Sequence, residues 1–130
     1  MLERASENKQ AACEINGLVY TRIGLILTCI YQSETRAQVD EAEVLLHAAM
    51  DEEADVLSPC WDTPEGDRPY YTPLEFMCVM HKLRVKGAWI YNAAARMIAK
   101  GATLTRSNTD FWSPDMTAYA ERICQDAIAS

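Results

Sequence analysis

Glycine and proline are scarce in this chain: five of each in 130 residues, with Pro59, Pro64 and Pro69 confined to one segment. So few residues that shape tight turns argue against a turn-rich β-sandwich and for long helices. Val, Ile and Thr do not gather into alternating runs, so strands have little support. The fold class read from the sequence is all-α. No apolar run is long enough to span a bilayer; the best, Ile15 to Tyr31, is interrupted by Asn16 and Arg22. The opening MLERASENKQAACEI carries charges of both signs and lacks the apolar core of a cleavable signal. No two of Cys13, Cys29, Cys60, Cys78 and Cys124 form a C-x-x-C pair. An odd set among apolar neighbours fits reduced thiols in a cytoplasmic protein better than a disulfide framework.

A basic excess is also lacking. The net charge is −7, and its placement is uneven: residues 1–56 hold eleven Asp/Glu against four Lys/Arg, whereas residues 57–130 hold eight of each. Seven acids lie between Asp40 and Asp55. Nucleic-acid binding needs a basic face against phosphate, so direct contact with nucleic acid is disfavoured. An acidic face instead attracts a basic protein surface. The same acids would equally serve as a solvated helix face.

The length sets one domain, read here as acidic N-terminal helices over 1–56, a long loop over 57–71 and a second helical part over 72–130. Ala12, Ile15, Val19, Ile23, Ile26 and Ile30 follow helical spacing, which predicts a helix from about 8 to 32. Gly17 and Gly24 weaken that helix or let a neighbour approach closely. Thr35-x-x-Gln38 has the spacing of a capping box and opens a helix to about Met50, with Val39, Ala42, Leu45, Leu46 and Ala49 as its apolar stripe. The prolines of 57–71 then forbid helix. Thr72-Pro73-Leu74-Glu75 restarts it, with Thr72 suited to the N-cap, Pro73 to the first helical position and Glu75 to completing a capping box; Leu74, Met77, Cys78 and His81 share its face. Gly87 breaks this helix, a shorter one runs from about Asn92 to Lys100, and Gly101 suits a left-handed C-cap. Ser113-Pro114 opens the last helix, with a stripe of Met116, Tyr119, Ala120, Ile123, Cys124, Ala127 and Ile128.

Two Thr/Ser-Pro helix starts with a Gly-Ala exit between them are the grammar of a repeat. TPLEF at 72–76 resembles the opening of an ankyrin repeat, and MIAKGATL at 97–104 resembles its second helix and exit. The interval from Gly101 to Ser113 matches the family's finger loop, and LLHAAMDEEADV at 45–56 resembles a looser copy of the second helix. Glu75 stands where the family has histidine. The stretch from Thr72 to Gly101 is about eight residues longer than a regular repeat. The resemblance, clearest over 72–116, implies stacked helical hairpins with long loops, and a protein-binding scaffold rather than a catalyst.

Candidates for chemistry are few. His47 and His81 are the only histidines. Cys78-x-x-His81 offers one ligand pair, whereas structural zinc uses two, so no metal and no cofactor are expected. No nucleophile elbow or phosphate loop is present. Aromatics in or beside predicted loops are the more informative set, because large aromatics anchor partners, although they also serve as lids on a core. The residues expected to contact a partner are Trp61, Tyr70, Tyr71, Trp89, Phe111 and Trp112, with Asp51, Glu52, Glu53 and Asp55 steering. The expected function is non-catalytic: a protein that inhibits or masks another by occupying its surface, such as a basic nucleic-acid-binding site. Small acidic inhibitors of phages and mobile elements, and immunity proteins, have this bulk composition. The alternatives are a small enzyme with an atypical Cys/His site, and a homodimer or larger oligomer joined through Trp89–Tyr91 or an apolar end. No membrane partner is expected.

Overall fold

The structure, a computed structural model, describes residues 12–66, 70–104 and 113–129. It is mostly helical, with five helices and a three-stranded antiparallel sheet among the described residues. The chain divides between Pro73 and Leu74 into two compact units.

The first unit begins with a hairpin where the sequence predicted a helix. Strand β1 (Ala12–Ile15) pairs with β2 (Leu18–Thr21) across a two-residue turn, Ile15 opposite Leu18. Asn16 and Gly17 occupy the turn with φ of 52° and 81°. Both are left-handed, as a type I′ turn requires, and Asn-Gly is the dipeptide that reaches this geometry at least cost. The spacing of Ala12, Ile15 and Val19 imitates a helical face across that turn, which is why periodicity misled. The all-α reading is corrected accordingly.

Thr21 ends β2 and caps the next helix, its Oγ1 accepting from Gly24 N–H at 2.9 Å. Helix α1 (Arg22–Tyr31) is buried at every position from Ile23 to Ile30. Each fully buried Ile or Leu contributes about 1.5–3 kcal/mol of transfer free energy, which a solvated helix face would not. Gly24 lets the backbone of Cys60 press against this helix: an added Cβ would lie 2.1 Å from Cys60 O. The close approach expected of Gly24 is present, with a loop backbone rather than a helix as the neighbour.

Helix α2 (Arg36–Asp51) packs on α1 and has the capping box at Thr35 and Gln38. Val39, Ala42, Leu46 and Ala49 are buried. Its end is a Schellman motif, with Ala54 N–H bonded to Ala49 O at 3.0 Å and Glu53 N–H to Met50 O at 3.1 Å. Glu53 takes the left-handed position, φ 61°. Beyond it, Asp55 organises the chain by accepting from Leu57 N–H at 2.8 Å and Ser58 N–H at 3.1 Å.

The long proline-rich loop is tied at both ends. Strand β3 (Trp61–Asp62) adds to β2, with Tyr20 opposite Trp61. Cys60 N–H bonds Tyr71 O at 2.8 Å and Tyr70 N–H bonds Trp61 O at 2.9 Å, so the returning chain closes against β3.

The second unit carries α3 (Pro73–Leu83), which starts at the unit boundary, α4 (Trp89–Ala99) and α5 (Pro114–Ala129). Proline opens α3 and α5 as the sequence indicated. Ser113 Oγ accepts from Met116 N–H at 3.2 Å, so it caps α5. Helix α4 begins three residues before the expected Asn92, because Trp89 and Ile90 belong to its buried face. It ends at Gly101, φ 103°, with Ala102 N–H on Met97 O at 3.0 Å and Gly101 N–H on Ile98 O at 2.9 Å. α4 packs on α5, whose buried residues are Met116, Ala120, Ile123 and Ala127. Ile128, expected in that stripe, is 66% exposed.

Candidate functional site

In the first unit, the sheet displays a row of aromatic rings. The Tyr20 and Trp61 centroids lie 5.2 Å apart, and Trp61 stacks on Tyr70 at 3.8 Å and 12°. Tyr70 meets Tyr71 edge-on at 4.6 Å. Pairs of this kind add about 0.5–1.5 kcal/mol each beyond area burial, so the row is held in place without a ligand. Tyr20, Trp61 and Tyr70 are half-buried and keep exposed surface, whereas Tyr71 is only 8% exposed. Tyr71 is therefore a packing residue and is removed from the expected contact set.

The acidic turn is joined to this row by one ion pair. Arg22 Nη1 lies 2.5 Å from Glu52 Oε2. Arg22 directly follows Thr21, whose N–H bonds Cys60 O at 3.1 Å. The path Glu52, Arg22, Thr21, Cys60 thus connects the end of α2 with the residue preceding Trp61. Asp51, Glu52, Glu53 and Asp55 are all exposed. They are not interchangeable decoration: Glu52 neutralises Arg22, Glu53 holds the strained position of the Schellman motif, and Asp55 builds the following turn. Partial burial raises the Asp55 pKa, but its hydrogen bonds to Ser58 and Leu57 outweigh this and leave it below the ordinary carboxylate value. It is ionised at neutral pH.

Trp89 was expected at a partner surface and is instead a core residue, 2% exposed, its indole N–H donating to Val85 O at 3.0 Å. Its predicted role is corrected for that reason. Phe111 and Trp112 lie outside the described residues.

The second unit contains a polar centre inside its helical core. His81 Nε2–H donates to Gly87 O at 3.1 Å, and Nδ1 accepts from the Tyr119 hydroxyl at 2.6 Å. Burial, with Lys86 nearby, holds the His81 pKa below its ordinary value, so the ring is neutral. Burial likewise raises the Tyr119 pKa, keeping its proton available for that bond. One turn earlier on α3, Cys78 lies near enough to Cys124 on α5 for the two thiols to shift each other, Cys78 upward and Cys124 downward. Position 78 meets 124 while 81 meets 119, so α3 and α5 run in opposite directions along this contact.

No group of three His, Cys, Asp or Glu placed to hold a metal occurs among the described residues. Cys78 and His81 share a helix face as expected, but both ring nitrogens of His81 are already engaged within the protein. None of Cys29, Cys60, Cys78 and Cys124 is in a disulfide. Among the described residues no helix is long and apolar enough to cross a membrane.

Tyr20, Tyr119 and the Cys78–Cys124 pair escaped sequence reasoning as site residues. The Asn16-Gly17 turn could have placed Tyr20 on a strand. The other contacts depend on the pairing of helices about forty residues apart, for which the sequence carries no local signal. No family model, curated protein or solved structure matches this chain.

Proposed function

We propose that this chain is a non-catalytic protein-binding module that masks or inhibits a partner by covering a surface of it. The observation that carries the reading is the adjacency, within the first unit, of a half-buried aromatic row and an exposed acidic turn, joined through Arg22 and Glu52. Rigid aromatics lose little conformational entropy when they anchor a partner, and the neighbouring carboxylates attract a basic surface and raise its association rate. A basic nucleic-acid-binding groove has that chemistry. Exposed Val44 on α2 and Leu57 beyond it add apolar area to the same unit.

The ankyrin-like reading of 72–116 belongs to this proposal. It is supported locally by the proline-first helix, by the Gly101 exit, and by the repetition of the same Schellman geometry at Glu53 and Gly101.

The test is capture by the tagged full chain from native lysate, at low and moderate salt, with wild type, Trp61→Ala and the double variant Glu41→Lys, Glu53→Lys. One stoichiometric partner, lost with Trp61→Ala and weakened by salt and by charge reversal, is expected. Partners retained equally by all three folded proteins would remove the reading.

A further inference from the structure

The second unit buries a concentration of oxidisable sulfur. Met77, Cys78 and Met80 on α3, Met97 on α4 and Met116 on α5 are each no more than 7% exposed. Oxidation of a buried thioether to its sulfoxide would put a polar group into that core. The same three helices also supply a cluster of aromatic rings. The rings of Trp89, Tyr91 and Tyr119 lie 6.5, 6.4 and 5.9 Å from that of His81. Trp89 is a core residue, whereas Tyr91 and Tyr119 are half-buried and keep exposed surface.

Within this cluster the hydrogen bonds fix where the protons sit. A carbonyl only accepts, so the 3.1 Å contact with Gly87 O places the His81 ring proton on Nε2. Nδ1 of the neutral ring is then an acceptor, and the Tyr119 hydroxyl 2.6 Å away is its donor. Tyr119 is thus a phenol aimed at a base whose other nitrogen is anchored on backbone. Neutral imidazole is a stronger base than a carboxylate by about 2 pKa units. A phenol that loses an electron becomes a strong acid, and here its proton has an acceptor already in place. Two other routes are disfavoured. Lys82 Nζ, 5.7 Å from the Tyr119 ring centroid, penalises a cationic ring. Burial raises the Tyr119 pKa, which opposes loss of the proton before the electron. Burial and Lys86 weaken His81 as a base, but far less than oxidation strengthens the phenol as an acid.

We propose that Tyr119 and His81 form a one-electron relay, in which Tyr119 reduces a radical oxidant of the peroxyl class and hands its proton to His81 Nδ1. One electron leaves the phenol for ROO•. The Tyr119 O–H bond breaks and the Nδ1–H bond forms, giving a neutral phenoxyl radical, an imidazolium and ROO⁻, which takes a proton from water. A small thiolate restores the pair. It gives one electron to the phenoxyl radical and becomes a thiyl radical, while the Nδ1 proton returns and the O–H bond re-forms. An electron from Tyr119 likewise refills an oxidised Trp89, so oxidation begun in the core ends at a half-exposed phenol and spares the methionines. This activity is separate from partner masking.

The experiment oxidises the full chain with photogenerated tris(bipyridine)ruthenium(III), traps radicals with a nitroso spin trap and maps the adducts by peptide mass spectrometry. Adducts are expected first at Tyr119, formed several-fold faster than in His81→Gln and more slowly in D₂O than in H₂O. The wild-type rate should also fall on acidification below pH 6.5, as Nδ1 gains a proton and can no longer accept. The groups facing His81 are Lys82 and Lys86 beside it, Tyr91 on α4 and Tyr119 on α5, so a fall that persists in His81→Gln belongs to none of the His81 chemistry. Should that variant fail to fold by circular dichroism, the wild-type adduct map and the solvent isotope effect decide. The proposal is overturned if another tyrosine or a tryptophan carries the first adducts, if D₂O changes nothing, or if folded His81→Gln reacts at the wild-type rate.

Discussion

Replacing Gly24 with alanine sets two effects of opposite sign against each other. In a helix interior, alanine is favoured over glycine by about 1 kcal/mol, so a sequence-based expectation is stabilisation. The structure gives the reverse. An ideal Cβ at Gly24 would lie 2.1 Å from Cys60 O, 2.6 Å from its C and 2.7 Å from its Cα. All three atoms are backbone, so no rotamer change relieves the overlap. Restoring ordinary contact at 3.4 Å requires a displacement of about 1.3 Å (3.4 − 2.1) between α1 and the Cys60 segment. That segment is held by Thr21 N–H on Cys60 O at 3.1 Å and by Cys60 N–H on Tyr71 O at 2.8 Å. Overpacking of this kind costs about 1–3 kcal/mol. Loss of one buried hydrogen bond adds about 1 kcal/mol. Set against the propensity gain, the net expectation is destabilisation by about 1–3 kcal/mol. Urea unfolding followed by tryptophan fluorescence and circular dichroism measures it as a lower midpoint. Gly17→Ala is the control: its φ is 81° but nothing lies within 4 Å of an added Cβ. It should lose only about 1–2 kcal/mol from left-handed strain. If Gly24→Ala matched or exceeded wild-type stability, the close approach of Cys60 to α1 would be refuted.

Glu53→Gly should stabilise the chain by about 1 kcal/mol, because glycine takes the left-handed position of the Schellman motif without Cβ strain; an unchanged urea midpoint would contradict the 61° φ. Glu52→Gln leaves Arg22, whose side chain is 15% exposed, without its carboxylate, and should cost about 1–2 kcal/mol by the same assay, between the ranges for exposed and buried pairs. His81 has a folded pKa below its ordinary 6.5, so the unfolded chain binds its proton first as the solution is acidified. Its contribution is therefore complete above pH 6.5 and is lost as the pH falls from there towards the folded pKa. Urea midpoints of wild type should decline over that window more steeply than those of His81→Gln, and parallel curves would refute the assignment.

Helix ends were the most legible feature of the sequence. Thr35 with Gln38, Pro73, Gly101 and Ser113-Pro114 act through bonds and dihedral limits spanning four or five residues, so each appears in the structure where the chain announces it. Apolar stripes were legible too, because α2 and α5 each bury one face. The hairpin was written in Asn16-Gly17 but hidden by apolar spacing that also suits a helix. For α1 the pattern had little to say about which face is inward, since Ile23 to Ile30 is buried on all sides. Tertiary structure alone decided the rest. Trp89 went inward, where its indole N–H found Val85 O, whereas Trp61 stayed half-buried, stacked on Tyr70 with Tyr20 tilted against it. Gly24 became indispensable only once Cys60 lay across it. The sequence determined where helices begin and end, since those signals are local. Only the tertiary structure could pair Arg22 with Glu52, His81 with Tyr119 and Cys78 with Cys124, because each contact joins residues that no local rule connects.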